Sequence, residues 1–134
     1  MENIFTTPIN IRFRDIDNMG HVNNAVFFTY FEEGRKAFFN KLLDVSDLSA
    51  FPFILAHIGC DFIRPITLNT QLSLKLWVKD IGNKSFGLGY KLTDLSDESI
   101  AYANGESVQV CFDYGNNESI VVPAGLKQKL IEYL

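Results

Sequence analysis

The chain switches between two hydrophobic periods. From Asn23 to Leu43, apolar positions recur at three- and four-residue spacing: Val26, Phe27, Tyr30, Phe31, Gly34, Ala37, Phe38 and Leu42. That spacing predicts a long helix over 23–43. Asn23 and Asn24 stand where N-cap residues belong. Glu32, Glu33, Arg35, Lys36 and Lys41 fall largely on the other side, while Phe28 and Phe39 widen the apolar surface. A helix apolar over most of its girth is wrapped by other structure. Gly34 costs about 1 kcal/mol relative to Ala at a mid-helix position, which predicts close approach by another backbone there.

The other period is two. Ile9, Ile11 and Phe13 alternate with Asn10, Arg12 and Arg14, a strand signal at the start. Phe53–Ile63 is apolar and β-rich, closed by Arg64-Pro65. Leu72, Leu74, Leu76 and Val78 share one face of a strand over Gln71–Lys79. Asp80–Lys84 reads as a hairpin turn, after which Phe86, Leu88, Tyr90 and Leu92 alternate again. Leu95–Glu98 is a polar turn. Ile100–Tyr114 is a long strand with an expected irregularity at Asn104-Gly105. Gly115–Asn117 turns the chain, and Pro123–Leu134 suits a short terminal helix. Asp44–Pro52 reads as a loop. One long helix followed by several antiparallel strands is an α+β plan.

At 134 residues the chain suits a single domain over 1–134. Twelve phenylalanines imply large flat apolar contacts. A net charge of -4 argues against nucleic acid as the main partner. No apolar run is long enough to cross a bilayer, and Met1–Pro8 lacks the basic and apolar regions of a secretory signal. The expected location is cytoplasmic. Cys60 and Cys111 sit in strand-like apolar surroundings without a C-x-x-C, and are expected as buried reduced thiols. Serine-elbow, phosphate-loop and dinucleotide signatures are missing, and two histidines without ligand spacing argue against a metal site.

Between the first strand and the helix lies a dense polar loop: Asp15, Asp17, Asn18, Gly20, His21. A helix start offers unpaired N–H groups and partial positive charge. A carboxylate held opposite it is suited to attack on a polarised carbonyl. The bland alternative is that Asp17 braces its own loop. Asp15 shares a face with Asp17 if the strand continues; otherwise it braces the loop or pairs with Arg12 or Arg14. His57, in an apolar strand, is expected as a core or interface histidine. Glu32 and Arg35, at i, i+3, are expected as an intrahelical ion pair.

The run Asp15, Asp17, Gly20, His21, Val22, Asn23, Asn24, Phe27, Glu32, Arg35 resembles the hotdog-fold acyl-CoA thioesterases, of the 4-hydroxybenzoyl-CoA thioesterase type. Phe62-Ile63-Arg64-Pro65 and the later Val108–Asp113 stretch extend the resemblance over nearly the whole chain. It implies a long central helix wrapped by a curved antiparallel sheet of about five strands, and a homodimer, or a tetramer, joined sheet edge to edge. It implies hydrolysis of acyl-CoA to free acid and CoA, with no cofactor beyond the CoA of the substrate. Asp17 would be nucleophile or general base, and the Asn24 backbone N–H would polarise the carbonyl. His21, Val22 and Asn23 would line the substrate site. Asn83, Lys84 and Ser85, in the hairpin turn, would meet the CoA phosphates. Plant acyl-carrier-protein thioesterases share the His21–Asn24 run and assign the histidine to catalysis, but they carry asparagine where this chain has Met19. The rival function is a non-catalytic hotdog module that binds acyl-CoA as a sensor.

Overall fold

A computed structural model describes residues 3–43 and 53–134. The loop expected at Asp44–Pro52 lies outside them. Strands β1 (Phe5–Ile9), β2 (Phe53–Phe62), β3 (Leu72–Ile81), β4 (Ser85–Asp94) and β5 (Ala101–Asp113) form one antiparallel sheet in the order β1-β3-β4-β5-β2. A two-residue strand, β6 (Glu118–Ser119), pairs with β5. Helix α1 (Asn24–Leu43) packs across one face, and a short helix α2 (Ala124–Ile131) follows β6.

The helix forms as its spacing requires. Phe27, Tyr30, Phe31, Gly34, Phe38, Phe39 and Leu42 are buried, a stripe at i, i+3, i+4, i+7 and onward. They meet the inward side chains of the central strands: Leu72, Leu74, Leu76 and Val78 on β3, and Phe86, Leu88, Tyr90 and Leu92 on β4. Gly34 is needed for a close approach, but by a side chain and not a backbone: a Cβ there would lie 1.7 Å from Leu74 Cδ2. Register shifts at Leu55/His57, Val78/Asp80 and Leu92/Thr93 bend the sheet around the helix. The irregularity expected at Asn104-Gly105 is therefore displaced to Tyr102. Gly105 serves packing, since a Cβ on it would lie 2.5 Å from the Phe31 ring.

The first strand is earlier than its alternation suggests. It ends at Ile9, and Phe13–Asp15 is a 3-10 turn with Phe13 82% exposed. The Arg12 N–H donates to Asp15 Oδ2 at 3.0 Å, a local bond that competes with strand pairing. β1 is an edge strand and carries Pro8, which an edge tolerates. The opposite edge, β2, is ten residues long and exposes apolar side chains. Ile54, Leu55, Phe62 and adjacent Ile63 are 38–48% exposed. The hairpin turn tightens to Gly82–Lys84, because Asp80 and Ile81 still pair with Gly87 and Phe86.

Candidate functional site

The polar loop before α1 is a miniature hairpin. Ile16 and Val22 bridge, the Asp17 N–H donates to the His21 carbonyl at 2.8 Å, and the Gly20 N–H donates to the Asp17 carbonyl at 3.1 Å. Gly20 has φ +81°, a left-handed conformation that glycine adopts without strain. Asp17 Oδ1 accepts from the N–H groups of Met19 (2.8 Å) and His21 (3.2 Å). The loop-bracing reading of Asp17 is thus correct for one oxygen. Oδ2 accepts no hydrogen bond from the described residues.

Asp15 fixes this hairpin to the helix. It is 4% exposed, and its Oδ2 also accepts from Tyr30 Oη at 2.8 Å. Its carbonyl accepts the Asn23 N–H at 2.9 Å, and Arg12 Nε lies 3.8 Å from Oδ1. Burial, then the hydrogen bond to Asp15, push the Tyr30 phenol well above its ordinary pKa. The strand does not continue, so Asp15 points into the core and Asp17 outward; they share no face.

Asn23 is the N-cap. Its Oδ1 accepts the Ala25 N–H at 2.9 Å, and its carbonyl accepts from Val26. Asn24 is the first helical residue, and its N–H finds no acceptor among the described residues. Val22, 3% exposed, holds the loop through its N–H to the Ile66 carbonyl. Asp17, His21, Val22 and Asn24 face one open cavity of about 270 Å3, whose other wall is Phe27 and Phe62–Pro65. Arg64 adds a cation to that wall. The sequence marked Arg64-Pro65 as a strand end and as part of the family resemblance, but not as a wall of the site.

Asn83, Lys84 and Ser85 lie elsewhere in the chain. β4 starts at Ser85, and Leu92 near its other end reaches, through Ala103, the Phe62 wall of the cavity. Seven residues of strand, about 23 Å, separate the turn from the Asp17 end. One chain does not bring them together.

Several expected pairs differ. Glu32 and Arg35 form no ion pair; Arg35 Nη1 donates to Tyr90 Oη at 3.1 Å instead. Of the core and interface places expected for His57, the core is excluded: it is exposed on the edge strand β2, with Nε2 3.3 Å from Glu106 Oε2. Both cysteines are free, but only Cys111 is fully buried. Burial, then Asp61, push the half-buried Cys60 thiol up to about 11. Among the described residues no three His, Cys, Asp or Glu side chains gather as a metal site, and no helix is long and apolar enough to cross a membrane.

Residues 11–130 match the family described as the Thioesterase-like superfamily. The chain belongs to the thioesterase-like superfamily. The match spans the loop, the helix and the whole sheet except β1, and the fold is the hotdog expected from the loop motif. The chain is 30% identical over 111 residues to YsmA of Bacillus subtilis (strain 168), covering 83% of this chain and 76% of that one. It is 25% identical over 126 residues to the long-chain acyl-CoA thioesterase FadM of Escherichia coli (strain K12), covering 92% and 95%. A Thermus thermophilus thioesterase solved with coenzyme A and Zn superposes with a TM-score of 0.82 at 27% identity, covering 93% of this chain and 90% of that one. Acyl-CoA thioester hydrolysis is thus supported for this thioesterase-like chain at the level of its family.

Proposed function

We propose that this protein is an acyl-CoA thioester hydrolase in which Asp17 is the nucleophile or general base. The observation that carries the reading is the pairing, on one cavity, of an Asp17 oxygen free of chain partners with the unpaired Asn24 N–H at the helix start. Hydrolysis of a thioester needs both an attacking group and donors for the oxygen that gains charge. Asp17 Oδ1 is held by two N–H groups, so the side chain is oriented while Oδ2 remains available. Asp15 positions the two halves by tying the hairpin and Tyr30 together. The acyl-CoA thioesterase FadM and the coenzyme A-bound Thermus enzyme support CoA as the thiol. The loop motif's resemblance to the 4-hydroxybenzoyl-CoA type supports an aromatic acyl group, and the likeness to the long-chain acyl-CoA thioesterase FadM supports an aliphatic one.

The active unit in this reading is a dimer joined through β2. That edge is long and apolar, whereas β1 is short and carries Pro8. A two-fold axis normal to the sheet makes the pairing antiparallel and keeps both helices on one side. Such pairing lays the Phe53 end of one copy against the Phe62 end of its partner. The partner's Asn83–Ser85 turn then approaches the Asp17 end, where its lysine suits CoA phosphates. The reading is tested by free-thiol release from a panel of aliphatic and aromatic acyl-CoA thioesters. Turnover of at least one class is expected. Tight binding of acyl-CoA with no thiol released by any member would leave the sensor function in its place.

A further inference from the structure

A polar chain runs through the phenylalanine-rich core. Arg35 Nη1 donates to Tyr90 Oη, which lies 2.6 Å from Ser107 Oγ. Ser107 in turn donates to Gln109 Oε1, and Gln109 Nε2 donates to the Phe86 carbonyl at 3.1 Å. Tyr90, Ser107 and Gln109 are at most 1% exposed. The direction of the chain is fixed. An amide oxygen only accepts, so Ser107 gives its hydrogen to Gln109, and Tyr90 gives its hydrogen to Ser107. Arg35 heads the relay as a pure donor. Each hydroxyl has spent its one hydrogen, and the bonds polarise one another along the line.

The relay opens on a cavity of about 240 Å3 walled by Phe39, Phe53, Leu55 and Gln109, with Glu32, Arg35 and Lys36 on the helix side. An engineered cavity of roughly 150 Å3 accepts a benzene ring, so this one has room for a substituted ring or a chain of several carbons. Among the described residues no carboxylate lies within ion-pairing distance of Arg35. A half-buried cation with no anionic partner is costly. Satisfying the Tyr90 hydroxyl does not require it, since Ser107 already accepts from that group. One acid against two bases leaves the cavity net positive, and Arg35 keeps guanidinium N–H groups that the relay does not use.

We propose that this cavity is a carboxylate-recognising subsite: the Arg35 guanidinium, aligned by the relay, binds an acidic group at the far end of the acyl chain or ring. The inference rests on the thioesterase reading, under which the substrate class is the mono-CoA thioester of a dicarboxylic acid. Arg35 follows Asn24 by eleven residues, about 16 Å along the helix. Within one chain the acyl part would have to span a distance of that order between its thioester and its acid. In the antiparallel dimer the same cavity lies at the β2 end that meets the partner's Asp17 end.

The test compares CoA thioesters of equal length ending in carboxylate, hydroxyl or methyl, over a length series, with wild type and Arg35→Gln. Wild type should favour the carboxylate by about ten-fold or more in kcat/KM at its best length, the scale of one charge-assisted hydrogen bond. In Arg35→Gln that ratio should fall toward one, whereas a purely structural Arg35 would lower Tm and leave the ratio unchanged. A wild-type preference for methyl or hydroxyl, or a carboxylate preference that survives the substitution, overturns the proposal. A second readout needs no turnover: free carboxylic acids should raise the Tm of wild type more than the alcohols of equal length, and Arg35→Gln should abolish the difference. If no thioester is hydrolysed, the hydrolase reading fails by itself, and the Tm difference still decides whether the acid subsite exists.

Discussion

Asp15 and Asp17 stand two residues apart with opposite surroundings. Asp15 is buried and anchors a helix residue; Asp17 is exposed, with one oxygen committed to its own turn. The motif marked both as important, and only the 3-10 turn at Phe13–Asp15 separates their directions. Burial in the fold raises the pKa of phenols and thiols. Burial raises Tyr30, Tyr90 and Cys60, each of which ordinarily loses its proton at 9.0 or 10.0. Above about pH 9 the unfolded chain therefore loses protons that the folded chain keeps, so stability falls as pH rises. For Cys60 the loss is complete near pH 11, and for Tyr30 it continues beyond. Urea midpoints should decline from pH 8 to 11, and Tyr30→Phe should flatten the decline. A midpoint that climbs over this range would contradict the burial assigned to these groups.

At the scale of elements, the hydrophobic period located α1 and the strands β2 to β5 within a few residues, because a buried stripe leaves the same mark in sequence and structure. What the period did not carry was the partner of each small residue. Gly105 read as an irregularity in β5, yet its position is set by Phe31, whose ring stacks on Tyr90 with centroids 4.7 Å apart. Such contacts join residues far apart in the chain and have no local signature. Gly105→Ala gains up to about 1 kcal/mol from strand conformational entropy. It must also push apart a stacked pair, with the Gly59 carbonyl 3.2 Å away on the other side. Overpacking of that kind costs about 1–3 kcal/mol, so a net loss in chemical denaturation is expected, and a stabilised variant would show that the ring has room to move. The polar relay below Arg35 was hidden for a similar reason: Tyr90, Ser107 and Gln109 each look like ordinary strand residues until β4 and β5 pair.

For the whole molecule, one chain leaves the β2 edge uncovered and keeps the Asp17 cavity apart from the Lys84 turn. The sequence pointed to both sites through the resemblance, but the distance between them is a property of strand order. Sedimentation at micromolar concentration should show a dimer, and an Ile54→Lys, Leu55→Lys double variant should shift it to monomer and lower turnover with it. A monomeric wild type with full activity would remove the dimer from the account.

The central claim is that Asp17 carries the chemical step of acyl-CoA hydrolysis. Asn is nearly isosteric with Asp, and its side-chain oxygen can still accept from Met19 and His21, so the turn should survive. It lacks the carboxylate needed to attack or to take a proton. Steady-state thiol release from the best acyl-CoA substrate, measured for wild type and Asp17→Asn with matched Tm, is the most direct measurement. The account predicts a fall in kcat of about 10² or more with little change in KM, and near-wild-type turnover by Asp17→Asn would contradict it.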